Sequence, residues 1–204
     1  MLEKNILYGT HNSGTSSKLV CWQRLFGFLL HLTSRCQNRS ISEQIHDGVV
    51  LYNFQVCYYR NNWHFSHGLC IYTDLLIDSL NMLRAELLLH PSKVIYYQLV
   101  LDKNFLVGQD VIRFKELLSY LLEHYNDDRL VLQWCNIEGD GMIYINPTVD
   151  LSYEEHYWTS SWCKINGTKL LDRLPLPHYH SKKFNDKYRS ECSSDVLMLD
   201  YYNE

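Results

Sequence analysis

The chain has 204 residues, of which 46% are hydrophobic and 21% charged, with a net charge of −4. That fits one domain over residues 1–204 with a full core, and with Ser181-Lys182-Lys183 as its basic cluster the chain is not expected to bind nucleic acid. The longest apolar stretch, residues 25–32, is too short to cross a bilayer, and the first residues show no long apolar segment, so a cytoplasmic setting is expected.

Taken in chain order, "NILYG" (5–9) reads as a strand that delivers His11 into a turn of small polar residues bounded by Gly9 and Gly14. Residues 17–32 carry an apolar stripe at helical spacing, and residues 40–48 start at a serine cap and stop at Gly48. The run 49–59 is apolar nearly throughout, as in a strand covered on both faces. Residues 63–72 form another strand-like run, with His64 and His67 three apart and Gly68 next. In a strand that spacing puts the two imidazoles on opposite faces, a poor metal chelate. A helix follows over 73–91, a strand over 93–101, a helix over 110–127, and strands over 129–134, 141–146 and 195–202. Residues 147–190 read as short strands and loops. Strands alternating with helices predict an α/β fold, open or barrel-like. The seven cysteines are scattered, without the clustering that zinc ligation needs, and read as buried reduced thiols. Asp200 follows four apolar residues in the final strand, a costly place for a carboxylate unless it is paired.

Four segments, "LYGTHNSGT", "SRCQNRSISEQIHDGVVLYNFQV", "FSHGLCIYTDLLIDSLNML" and "VLMLDYYNE", together resemble the catalytic domain of phosphatidylinositol-specific phospholipase C, in particular its small bacterial-type members. The resemblance implies a compact, distorted TIM-like β/α barrel with reduced helices. It implies His11 as the general base for the inositol 2-hydroxyl, Asp200 as the carboxylate that orients it, and His67 as the acid for the departing diacylglycerol oxygen. Asn12 stands where bacterial members have an aspartate supporting that acid and calcium-dependent members have an asparagine that binds metal. Asn53 and Gln55 depart from the pattern. The family carries an acidic residue and an arginine there, or two acidic calcium ligands, and amides supply neither charge. Arg60 is the first candidate for a replacement cation, followed by Arg84, Lys103 and Arg129. Tyr202, with Tyr201, is placed to stack on an inositol ring or to meet a membrane interface. No metal and no cofactor are expected. The implied substrate is a phospholipid or related phosphodiester met at a membrane surface. Two readings follow: a working phosphodiesterase, favoured by the histidines and Asp200, or a weakened relative that binds a phosphorylated head group, a membrane surface or a protein, favoured by Gln55.

Overall fold

The computed structural model describes residues 7–102, 108–125, 127–137, 142–144, 153–156, 176–192, 194, 196–200 and 202–203. Its strands are β1 (Leu7–Thr10), β2 (Leu51–Tyr59), β3 (Asn62–His67), β4 (Cys70–Leu75), β5 (Ile95–Leu101), β6 (Leu130–Ile137), β7 (Met142–Tyr144), β8 (Tyr153–His156) and β9 (Val196–Leu199). Its helices are α1 (Gly27–Ser34), α2 (Ile41–His46), α3 (Leu76–Leu89), α4 (Gly108–His124) and α5 (Pro177–Glu191).

The strands form one sheet in the order β7-β6-β5-β2-β1-β9-β8, with β3 and β4 folded out from one edge of β2. From β6 to β8 all neighbours run parallel. The sheet curls into a distorted, partial β/α barrel with reduced helices, as the sequence resemblance implies.

The period-2 geometry of a strand divides the core into two layers. Tyr52, Phe54 and Val56 of β2 point to the helical side, where they join Tyr97, Leu99, Leu80, Leu83, Phe114 and Leu117 in the main core. The odd-numbered neighbours point to the inner face, where Leu51, Val196 and Met198 form a second apolar cluster with Val50 and Tyr96. Gly9 belongs in that inner layer, and a Cβ on it would lie 3.2 Å from the Leu51 Cβ and 3.4 Å from the Met198 Cβ.

Three segments differ from the sequence reading. The run 63–72 is two strands, with the turn at Gly68 in a left-handed conformation (φ 61°). The stretch 17–32 begins with Leu19 bridged to Tyr72 and a 3₁₀ turn over Cys21–Phe26 before the α-helix starts. The polar stretch inside 147–190 contains α5, a 15-residue helix with proline in its first turn, where short strands and loops are expected. Among the described residues no helix is long and apolar enough to cross a membrane.

Candidate active site

The inner face changes character one layer toward the C-terminal ends of the parallel strands. In the lower layer Tyr96, Leu51, Gly9 and Met198 lie side by side across β5, β2, β1 and β9. Two residues on, Gln98 pairs with Asn53. Continuing the register of Thr10 with Tyr52 and Leu199 by one residue brings His11 level with Asn53 and Asp200. The sheet thus carries a polar row, Gln98–Asn53–His11–Asp200, on an apolar floor, at the strand end where β/α barrels hold their reactive groups.

His67 reaches the same place from the opposite direction. β1 occupies the first part of one edge of β2, at Leu51 and Tyr52, and β3 occupies the last part, from Val56 to Tyr59. β1 runs parallel to β2 and β3 antiparallel, so their C-terminal ends point at each other across the gap at Asn53–Gln55. The rings of His11 and His67 meet there, 5.9 Å apart and edge to face.

Each imidazole is oriented by its δ nitrogen. His11 Nδ1 lies 2.8 Å from Asp200 Oδ1. Asp200 is 2% exposed, and its backbone carbonyl accepts from Asn185 Nδ2 of α5 at 3.0 Å. His67 Nδ1 lies 2.8 Å from the Ser34 carbonyl oxygen. A carbonyl only accepts, so the proton sits on Nδ1 and the ε nitrogen is the exchangeable position. A carboxylate is likewise an acceptor, which places His11 in the same tautomer.

The turn after β1 is held by side chains that the sequence resemblance assigns no role. Gln37 Nε2 donates to the carbonyls of His11 (2.9 Å) and Leu199 (2.8 Å), clamping β1 to β9 at the site. Gln44 of α2 donates to the Ser13 carbonyl and accepts from Thr10 Oγ1, both at 2.8 Å. Asn12 takes a left-handed conformation (φ 47°), which asparagine tolerates, and its Nδ2 lies 3.1 Å from His11 Nε2. Gly14 lies flat on Phe65 of β3, where a Cβ would fall 2.0 Å from the ring.

Cys36 sits between the two histidines. Its Sγ is 3.4 Å from His67 Nδ1 and 3.7 Å from Asn12 Nδ2, and Thr15 Oγ1 fixes its backbone by accepting from Cys36 N at 2.9 Å. Burial pushes the Cys36 thiol well above its usual pKa, and the negative charge of Asp200 adds to that. A cavity of about 320 Å³ opens over the site, lined by Leu30, Ser34, Cys36, His67, Leu69 and Asp200 among others. Among the described residues no lysine or arginine lines it.

The remaining sequence candidates fall elsewhere or take other partners. Asn53 Nδ2 donates to Gln98 Oε1 at 3.2 Å, and Gln98 Nε2 donates to Gln133 Oε1 at 2.9 Å, so Asn53 starts a buried row of amides. Gln55 is half-buried, two residues on along the same face of β2. Arg60 is at the exposed tip of the β2–β3 hairpin, over the Tyr59 ring. Seven residues of strand separate it from Asn53, about 23 Å, so the structure does not bring it to the histidines. Arg84 and Arg129 donate to the carbonyls of His124 and Leu87, away from the cavity. Tyr202 is buried rather than presented to a ligand, and its hydroxyl donates to Asp47 at 2.5 Å. Lys103, Tyr201 and residues 157–175 lie outside the described residues.

No protein-family model matches the sequence, and no curated protein matches it. Solved structures do. The phosphatidylinositol-specific phospholipase C from Listeria monocytogenes superposes with a TM-score of 0.63 at 14% identity, covering 98% of this chain and 89% of its own. A mutant of the phosphatidylinositol-specific phospholipase C from Staphylococcus aureus gives 0.58 at 12% identity, with 98% and 86% covered. A structure concerned with modulation of membrane binding by the S. aureus phospholipase gives 0.57 at 11% identity, with 98% and 87% covered. The chain therefore has the fold of the bacterial phosphatidylinositol-specific phospholipases C.

Proposed function

We propose that the protein is a phosphoric diester hydrolase that cleaves an inositol phospholipid or a related phosphodiester with an adjacent hydroxyl, by acid–base chemistry of two histidines. The observation that carries this reading is His11, oriented by buried Asp200 at 2.8 Å and facing His67 at 5.9 Å between ring centres, with His67 and Asp200 lining a cavity of about 320 Å³.

His11 Nε2 removes the proton from the 2-hydroxyl as that oxygen bonds to phosphorus. His67, as imidazolium, gives its Nε2 proton to the departing diacylglycerol oxygen as the P–O bond breaks. The products are a cyclic inositol phosphate and diacylglycerol. Asp200 holds the His11 tautomer and stabilises the imidazolium formed there, and the Ser34 carbonyl does the same for His67. Asn12 Nδ2 occupies His11 Nε2 in the free protein, and the substrate hydroxyl takes its place. Leu25, Leu29 and Leu69, respectively 85%, 64% and 66% exposed, support contact with a lipid surface, since Leu69 also lines the cavity.

A second reading, a phospholipase-like domain that binds a phosphorylated head group with little turnover, is favoured by Asn53 and Gln55, amides where the resemblance implies charges. Release of cyclic inositol phosphate from phosphatidylinositol vesicles, with His11→Ala as the blank, separates the two. Wild-type release above the blank supports the enzyme. Release equal to the blank, with vesicle binding retained, overturns it in favour of the binding domain.

A further inference from the structure

Cys36, His11 and Asp200 present a thiol sulfur, an imidazole nitrogen and a carboxylate oxygen that all lie within 4.8 Å of one another. They come from three separate places in the chain: the segment before α2, the turn after β1, and the end of β9. We infer that these three side chains form a site for a thiophilic divalent cation, zinc above all, next to His67.

The chemistry of the donor set selects the ion. A thiolate and an imidazole suit zinc and disfavour calcium or magnesium, which take oxygen ligands. Around tetrahedral zinc, ligand atoms sit about 3.2–3.6 Å apart. His11 Nδ1 and Asp200 Oδ1 are already 2.8 Å apart, so the set closes on an ion by shifts of about 1 Å. The charges also balance. Zinc against one thiolate and one carboxylate sums to zero, which suits a site where Cys36 is fully buried and Asp200 nearly so. Thr15 fixes the Cys36 backbone, Asn185 fixes that of Asp200, and Gln37 fixes that of His11, so the donors are preorganised. The cavity borders Cys36 and Asp200 and supplies the entry path. His67 Nδ1 stays on the Ser34 carbonyl and is not a ligand. An ion held here takes His11 and Asp200 out of proton transfer, so occupancy and general-base function exclude each other.

Cobalt(II) added to the reduced full-length protein tests the site without any assay of turnover. The expected result is a near-ultraviolet thiolate-to-cobalt band with visible absorption of tetrahedral strength, displaced by one equivalent of zinc. Cys36→Ser should lose the near-ultraviolet band and bind at least about 10-fold more weakly, as should Asp200→Asn with the band retained, since losing a direct ligand costs no less than losing an outer-shell partner. A wild-type protein without the band, or a band undiminished in Cys36→Ser, overturns the site. If Cys36→Ser fails to fold, an unchanged cobalt affinity in Asp200→Asn overturns it instead. The readout is spectroscopic, so its failure leaves the phosphodiesterase reading standing, and the reverse also holds.

Discussion

The polar row across the sheet has two halves built on different electrostatics. On β1 and β9 it is ionisable: His11 against Asp200, with His67 facing them. On β2, β5 and β6 it is neutral: Asn53 donates to Gln98, and Gln98 donates to Gln133. The first half can move protons and the second cannot offset charge. Asn53, Gln98 and Gln133 are joined by hydrogen bonds, so the row is satisfied without charge. On the proposed reading, proton transfer and charge stabilisation fall to separate halves of the row.

The largest expected effect is on the ionisable half. His11→Ala should lower cyclic inositol phosphate release by ~10²–10⁴, with a smaller loss of about 1–3 kcal/mol in urea unfolding, because the buried Asp200 carboxylate loses its imidazole partner. Equal loss of activity and stability would mean that the dyad is structural. Gly14→Ala comes next. The new methyl meets Phe65 of β3, so the His11 turn and the His67 strand are forced apart. A loss of about 3 kcal/mol in urea unfolding is expected, with the amide half untouched in its hydrogen exchange. The amide half is probed by adding charge. Asn53→Asp with Gln55→Arg should raise activity by ~10² in total, more than the product of the single changes, because the carboxylate orients the guanidinium. The new carboxylate faces Gln98 Oε1, and the row accommodates it by turning the Gln98 and Gln133 amides over. A gain from Gln55→Arg alone equal to that of the pair would break the separation, showing that another group already orients the cation.

The smallest effect lies outside both halves. Tyr202 donates to Asp47, and burial, with Asp47 adding to it, raises its hydroxyl pKa. Folding thus favours the protonated phenol. The bond contributes stability below the unfolded tyrosine pKa of about 10 and loses it as pH climbs beyond that. Tyr202→Phe should cost about 1 kcal/mol in urea unfolding at neutral pH, and the gap to wild type should shrink at pH 11 or so.

How much of this was legible in the sequence depended on the reach of each signal. β2 and β5 announce themselves as apolar runs because helices cover one face and the inner layer the other. The turn at His11 is legible from its glycines and small polar residues, and the meeting of His11 with Asp200 and His67 was implied by the resemblance rather than by spacing. Helix α5 escaped because its buried face is polar. Pro177, His180, Ser181, Asn185 and Tyr188 recur at helical spacing, but a hydrophobic pattern is blind to four of the five. Pro177 in the first turn was the available signal. Cys36 escaped for the opposite reason. Scattered cysteines argue against a metal cluster only when the ligands must come from nearby positions, and here Cys36 is assembled with residues 25 before and 164 after it by the sheet register. The expectations for Tyr202 and Arg60 rest on residue type, which does not carry the direction of a side chain or the length of a hairpin.

The pairing of His11 with Asp200 spans 189 positions, and β9 lies between β1 and β8. A ribosome that has released β1 must therefore make nearly two hundred further residues before the dyad can exist. Until β9 docks, β1 presents a bare hydrogen-bonding edge, the kind of surface that recruits other chains. A transcript broken before Val196 would yield a product whose His11 has no Asp200 to orient it, and with an adhesive strand. Loss of the His11–Asp200 pair and exposure of an adhesive edge are in this way made to coincide, so a chain cut short there is drawn toward aggregation or proteolysis rather than persisting as an idle copy.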